Sequence, residues 1–155
     1  MSSQDLIANI FMNSHYDNIL IKYAEGRKIN YTVISDLSNY VEYMNNHLPF
    51  MGERIDFSKL NNTRFVESDQ GNISFDAIIF IKSLVDDRIC WENDAVIYIG
   101  DSLTNNGYEF DLNDLLKIIP FIVTEIPQHH YLLFKDLKKI ILISFENVME
   151  FGTIK

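Results

Sequence analysis

Residues 130–154 read HYLLFKDLKKIILISFENVMEFGTI, which is three apolar runs separated by two short turns. The runs His130–Phe134, Lys139–Phe145 and Val148–Ile154 are rich in the aromatic and branched residues that favour β-strands. Because the turns are short, each strand must return beside the one before it. This stretch therefore predicts a meander of antiparallel strands at the end of the sequence.

A strand and a helix precede this meander. The alternating run Ala95–Ile99 predicts a strand, and the apolar spacing between Leu112 and Ile119 predicts a helix. Asp111 is placed to cap that helix, and Pro120 is expected to kink or restart it. The second half of the chain is thus expected to form a β-α-β-β-β unit with a mainly antiparallel sheet.

The first half of the chain carries mostly helical patterns. Apolar spacing predicts one helix between Ser3 and Phe11 and a second that ends at Gly26. A third amphipathic pattern, Thr32–Leu48, is stopped by Pro49. We therefore expect N-terminal helices before the C-terminal sheet.

The middle of the sequence is less regular. Residues 50–73 are polar and turn-rich, and they predict a long loop with one or two short strands. The apolar stretch Ala77–Val85 fits either a helix or a buried strand. Since no repeat, linker or low-complexity segment divides the sequence, we expect a single α+β domain over residues 1–155.

The composition argues against several classes of partner. The 22 acidic and 13 basic side chains give a net charge of −9, which repels phosphate backbones and favours either a basic protein partner or simple solubility. The single cysteine, Cys90, excludes an intramolecular disulfide and a thiolate metal site. There is no signal-peptide pattern and no apolar run of membrane-spanning length. We expect a cytoplasmic protein that binds neither nucleic acid nor membrane.

The tetrapeptide GDSL at residues 100–103 follows the predicted strand and resembles the nucleophile block of the GDSL esterases and lipases. This resemblance implies an alternative function as a small serine hydrolase. In that alternative Ser102 is the nucleophile and His129 or His130 is the base that takes its proton.

The other parts of a GDSL hydrolase are missing from the sequence. The family carries an acid three residues before its histidine, and here Ile126 and Pro127 occupy the two corresponding positions. Too little chain follows Ser102 for a doubly wound parallel sheet. Gly and Asp are also ordinary residues in a turn at the end of a strand. We therefore expect a protein that is not an enzyme and has no catalytic residue.

The histidines do not predict a metal site. His129 and His130 are adjacent on a predicted strand entrance and would point to opposite faces, while His15 and His47 lie on separate predicted helices. One of the adjacent pair is expected to pack inward with a hydrogen-bonded ring and the other to lie at the surface. We expect neither a metal nor a cofactor.

The densest functional pattern is acidic. Between residues 86 and 114 carboxylates alternate with aromatic residues, and Arg88 is the one basic residue among them. Such carboxylates would steer a basic protein partner and the aromatic side chains would anchor it, although a solvated face with helix-capping aspartates fits as well. The candidate partner-binding residues are Trp91, Glu92, Asp94, Asp101, Tyr108, Glu109, Asp111 and Asp114.

The layout of residues 97–152 resembles that of small bacterial immunity proteins. The shared features are a strand, a Gly-Asp turn, a helix, the segment Pro-Gln-His-His-Tyr, further strands and a terminal Phe-Gly. These families are the antidotes of polymorphic toxins, including those of contact-dependent growth inhibition. The resemblance implies a cytoplasmic protein that binds the C-terminal domain of its toxin, often a basic nuclease, and blocks the active site or substrate groove.

Overall fold

The structure is a computed structural model that describes residues 12–52, 54–69 and 71–154. These residues form nine strands and four α-helices. The helices are α1 (His15–Gly26), α2 (Ser38–His47), α3 (Ile73–Asp86) and α4 (Leu112–Glu125), and a short 3-10 helix covers Phe57–Lys59. The strands are β1 (Thr32–Ile34), β2 (Phe50–Met51), β3 (Arg54–Ile55), β4 (Asn61–Glu67), β5 (Ala95–Gly100), β6 (Gly107–Asp111), β7 (His130–Phe134), β8 (Lys139–Ile143) and β9 (Val148–Thr153).

Seven of the strands form one sheet in the order β1-β6-β5-β7-β8-β9-β4, and every neighbouring pair is antiparallel. Strands β2 and β3 form a separate two-stranded hairpin. The predicted meander is present as β7, β8 and β9, whose connecting turns place Leu137 and Asn147 in the left-handed backbone region. The predicted α+β class with a mainly antiparallel sheet is confirmed.

Both faces of the sheet are covered. Helices α1, α3 and α4 pack on the face that carries Val96 and Tyr98. Helix α2, strand β3 and the 3-10 helix cover the opposite face, which carries Ile97 and Ile99. Because neither face is left to solvent, all five residues of β7 are buried, which explains why its sequence does not alternate between apolar and charged residues.

The helix predicted over Thr32–Leu48 is wrong at its start. Residues Thr32–Ile34 form β1, which pairs with β6 at one edge of the sheet, and α2 begins at Ser38. The three residues are Thr, Val and Ile, which fit a pleated strand better than a helix. Pairing with the edge of β6 therefore makes Thr32–Ile34 a strand, which the apolar spacing alone did not indicate.

Strand β6 was also missing from the predicted β-α-β-β-β unit, which becomes β-β-α-β-β-β. Its residues Tyr108 and Phe110 are buried, whereas Glu109 between them is only partly buried, so the strand does alternate. The alternation was hidden because the acidic and aromatic residues of this segment suggested a surface loop. Pairing with β5 on one side and β1 on the other stabilises it as a strand.

Three further expectations are settled by the structure. The stretch Ala77–Val85 lies in helix α3, and residues 50–73 contain three strands rather than one or two. Helix α4 continues through Pro120, so the predicted restart is wrong, because the buried residues Ile118, Ile119 and Ile122 hold both halves of the helix on the sheet. The helix predicted between Ser3 and Phe11 lies outside the described residues.

Among the described helices, none has the length and apolar character needed to cross a membrane.

Candidate functional site

The GDSL tetrapeptide forms a corner that is held by the buried side chain of Gln128. The Oε1 atom of Gln128 accepts hydrogen bonds from the backbone N–H groups of Ser102 and Leu103, at 3.1 and 2.6 Å. Its Nε2 atom donates to the Thr104 hydroxyl at 3.0 Å and to the Tyr98 hydroxyl at 2.8 Å. The side chain that follows Pro127 therefore fixes the turn after β5.

The first two residues of the tetrapeptide have structural reasons of their own. A side chain at Gly100 would overlap the Gln128 carboxamide and the Thr104 hydroxyl, so glycine is required by close packing. The Asp101 carboxylate accepts the backbone N–H of His129 at 3.1 Å and the Ser102 hydroxyl at 3.2 Å. Asp101 thus ties the turn after β5 to the entrance of β7.

The two adjacent histidines each have a structural partner. His130 is buried, and its Nδ1 atom lies 2.7 Å from the Tyr98 hydroxyl. Burial is the larger cause and the nearby His129 the smaller cause that together lower the pKa of His130 to about 3. His129 is partly exposed, and its Nδ1 atom accepts the backbone N–H of Phe145 at 3.0 Å. The expectation of one inward and one outer histidine is confirmed.

The structure does not assemble a catalytic serine from the three residues of the hydrolase alternative. The Ser102 hydroxyl donates to Asp101, and neither histidine ring hydrogen-bonds to it in the part of the chain that is described. A ring with the lowered pKa of His130 is also a weak proton acceptor at neutral pH. Among residues 12–52, 54–69 and 71–154, no cluster of three or more His, Cys, Asp and Glu side chains could hold a metal ion.

Asp17 on α1 is a structural anchor that the sequence did not reveal. It is fully buried and accepts the backbone N–H groups of Asn105 and Asn106, at 2.9 and 3.2 Å, and the Tyr108 hydroxyl at 2.6 Å. It also closes the capping box of α1 with Ser14. Tyr108, which was a candidate partner-binding residue, is therefore fully buried and offers no contact surface.

The remaining candidates do not form one continuous face. Ala95, the first residue of β5, pairs with Asp111, so the Trp91–Asp94 turn and the start of α4 lie at the same end of the sheet. Asp101 follows the last residue of β5, at the opposite end, about 16 Å away by the rise of a six-residue strand. The predicted acidic surface is therefore divided between the two ends of the sheet.

Lysines that are distant in sequence partly neutralise these carboxylates. Glu109 pairs with Lys135 at 2.9 Å and raises the pKa of that lysine. Asp94 lies 3.8 Å from Lys139, whose ammonium group is also 5.8 Å from the centre of the Trp91 ring. These pairs arise because the β7–β8 turn reaches the Trp91 end of the sheet.

Asp114 is also withdrawn from the surface. Its side chain is 7% exposed and lies 3.3 Å from the Lys117 ammonium group, and its backbone N–H donates to the Asp111 carboxylate. The prediction that Asp111 caps α4 is confirmed by this 2.7 Å hydrogen bond. Asp114 therefore serves the first turn of the helix rather than a partner.

Three of the eight candidates stay exposed at one end of the sheet. We call Trp91, Glu92 and Asp111 the Trp91 surface; the Trp91 residue is 53% exposed. The backbone of Glu92 is joined to α4 because its carbonyl accepts the Asn113 N–H at 2.9 Å. The Trp91 surface is therefore held in place at the N-terminus of α4.

A groove of about 380 Å³ adjoins the Trp91 surface, between α3 and α4. Its walls combine apolar residues, among them Ile78 and Leu116, with the charged residues Lys82 and Asp86. On the same helix, α3, Phe75 and Ile79 are exposed and lead along the helix toward Lys82 and Asp86. Sequence reasoning missed this stripe because it could not decide whether residues 77–85 were a helix. The 3.6-residue period would have placed Phe75, Ile79 and Lys82 on one face.

Comparison of the chain with protein-family models gives no match, and neither does comparison with the curated proteins.

Proposed function

We propose that the protein is an immunity protein that neutralises a toxin by binding its C-terminal domain through the Trp91 surface and the adjoining groove. The observation that carries the proposal is the exposed Trp91 ring at the end of the sheet that also carries the exposed residues Glu92 and Asp111. An exposed tryptophan supplies a large apolar contact at the centre of an interface, and flanking carboxylates speed the approach of a basic domain.

The chemistry of the surface fits a nuclease domain as the partner. A nuclease attracts phosphate groups through the lysine and arginine side chains of a basic groove. Carboxylates held on a rigid surface compete with phosphate for those basic side chains. The net charge of −9 on the whole chain acts in the same direction at longer range. Neutralisation by this route needs contact alone, because covering the groove excludes the nucleic acid. The protein would act in the cytoplasm, where the toxin meets its substrate.

The first experiment asks whether the partner exists. The gene beside the one for this chain should encode a large secreted protein with a variable C-terminus, and the C-terminal domain should co-purify with this chain. Growth of cells that express the toxin domain should be restored when this chain is co-expressed. Failure of the domain to co-purify, or growth arrest despite co-expression, would contradict the proposal.

A second experiment tests the electrostatic part at the proposed surface. Glu92→Lys should slow association with the toxin domain about three- to tenfold at low salt and less at high salt. Glu42→Lys is the matched control, because Glu42 is exposed on α2 at the other face of the sheet and the change in charge is identical. Equal association rates for the two variants would show that the Trp91 surface does not steer the partner.

A further inference from the structure

Strand β4 is an edge of the sheet that carries exposed apolar side chains. In the described part of the chain it pairs with β9 on one side and with no strand on the other. It is seven residues long, whereas β1 at the opposite edge has three. Within it, Phe65 is 62% exposed and Val66 is 43% exposed. A long, exposed and partly apolar edge is a template for another strand.

The backbone groups that face the open edge can be identified from the register. Across the β4–β9 ladder the Ser68 N–H donates to the Asn147 carbonyl at 2.8 Å, and the same register pairs Val66 with Met149. Because an antiparallel ladder uses the backbone groups of every second residue, those of Phe65 point away from β9. With respect to residues 12–52, 54–69 and 71–154, the N–H and C=O of Phe65 are therefore available to a further strand.

We infer that β4 binds β4 of a second copy of this chain, antiparallel and about a two-fold axis that passes through Phe65. Such an axis, perpendicular to the sheet, keeps each face of the sheet on the same side in both copies. The backbone groups of Phe65 point outward, so an axis at Phe65 makes this residue a hydrogen-bonded pair with its copy. The two sheets join into one sheet of fourteen strands, twice the seven of a single copy.

The side chains are compatible in this register. Phe65 lies opposite Phe65 of the second copy, and Thr63 lies opposite Glu67, whose carboxylate can accept the threonine hydroxyl. On the other face Arg64 lies opposite Val66, so no like charges are opposed. An aromatic pair at the centre and a polar pair on each side are the contacts that stabilise adjacent strands.

The two registers that place the next outward-pointing residue of β4 on the axis are less favourable. Moving the axis two residues forward places Glu67 directly against Glu67 of the second copy, and like charges in that position are destabilising. Moving it two residues back brings in the irregularity of the ladder between Asn61 and Arg64, where Asn62 has a φ of 52°. β4 holds one positive and one negative side chain and is neutral overall, in a chain with a net charge of −9. The side chains of β4 therefore add no net charge repulsion between the two copies.

The inference is tested first by the molecular mass in solution. Sedimentation velocity over a range of concentrations should show a dimer for the wild-type chain and a monomer for Phe65→Lys, because two lysines would face each other on the axis. Phe145→Lys is the control, since Phe145 is 61% exposed and lies in the β8–β9 turn rather than on β4. A wild-type monomer at every concentration overturns the inference, as does a dimer that Phe65→Lys leaves intact. If the β4 edge pairs only with a different protein, the isolated chain is a monomer at every concentration, and this result also overturns the inference.

A cross-linking experiment tests the register itself. The Cα atoms of Phe65 and its copy should be about 5.5 Å apart, within the range that a disulfide spans. Phe65→Cys should therefore form a disulfide dimer under mild oxidation. Glu67→Cys should not, because the two copies of residue 67 are four residues apart along the strands, about 13 Å. The native Cys90 is buried, so the wild-type chain supplies the background. Equal cross-linking of the two variants would contradict the proposed axis.

Discussion

The Gln128 carboxamide makes four hydrogen bonds, three to the turn after β5 and one to the Tyr98 hydroxyl within β5. Asp17 holds the following segment in the same way through Asn105, Asn106 and Tyr108. Because the Gln128 and Asp17 side chains and the Tyr98 and Tyr108 hydroxyls are buried, a lost partner leaves a polar group there without water to replace it. A four-residue match to a catalytic block thus arises here from the requirements of a packed corner.

The packing of Gly100 leads to a stability prediction. Gly100→Ala should lower the free energy of unfolding by about 2–3 kcal/mol, because the new methyl group must displace the Gln128 carboxamide and break its hydrogen bonds. Gly26→Ala is the control, since a methyl group there meets no atom. Urea unfolding of both variants measures the difference. A loss at Gly100 no greater than that at Gly26 would show that the corner tolerates a side chain.

The lowered pKa of His130 leads to a pH prediction. Its pKa is about 3 in the folded chain and 6.5 in a free side chain, so the unfolded chain binds the proton more readily. The contribution of His130 to stability is therefore complete above pH 6.5 and is lost as the pH falls toward 3. Unfolding free energies at pH 7 and pH 5 should differ less for His130→Gln than for the wild-type chain.

A matched variant separates this effect from the general titration of carboxylates. His47 is exposed at the end of α2, so His47→Gln removes a histidine without changing the buried ring. The same pH dependence in His130→Gln and His47→Gln would mean that protonation of His130 is not coupled to unfolding.

The environment of Ser102 leads to a prediction about activity. A chromogenic short-chain ester should be hydrolysed at the same rate by the wild-type chain and by Ser102→Ala, because the Ser102 hydroxyl donates to Asp101 instead of to an imidazole. A rate that falls in Ser102→Ala alone would restore the serine hydrolase alternative.

Helix α4 and strands β5, β7, β8 and β9 could be predicted because each carries its signal within its own sequence. The aspartate at position 111 marks the start of α4, and apolar runs mark the four strands. Strands β1 and β6 could not be predicted, because Thr32–Ile34 becomes a strand by pairing with Glu109 and its neighbours. The candidate site was predicted less well, since the burial of Tyr108 depends on Asp17, which lies 91 residues away.

The N-terminus of α4 leads to a prediction at the scale of the helix. Asp111→Ala should lower the free energy of unfolding by about 1 kcal/mol, because the Asp114 N–H loses the capping carboxylate. Asp111→Ser should recover most of this loss, since a serine hydroxyl can cap the same N–H. Thermal unfolding of the two variants compares them. Equal losses in Asp111→Ala and Asp111→Ser would mean that the cap is not what Asp111 contributes.

Over the whole molecule, the fold redistributes the charge that the sequence contains. The sequence shows a run of carboxylates with one nearby arginine, but the antiparallel turn between β7 and β8 brings Lys135 to Glu109 and Lys139 to Asp94. Glu92 and Asp111 remain exposed at the same end of the sheet as Trp91. The proposed partner therefore contacts one aromatic side chain and a few carboxylates. Shape complementarity should contribute as much as charge to its binding.

Affinity for the toxin domain, measured for Trp91→Ala beside Phe145→Ala, tests the central claim most directly. Both variants remove an exposed aromatic ring, one at each end of the sheet. We predict that Trp91→Ala weakens binding at least about thirtyfold, as expected for a central tryptophan, and that Phe145→Ala leaves the affinity unchanged. Equal affinities for the two variants, or a larger loss in Phe145→Ala, would contradict the claim that the Trp91 surface binds the partner.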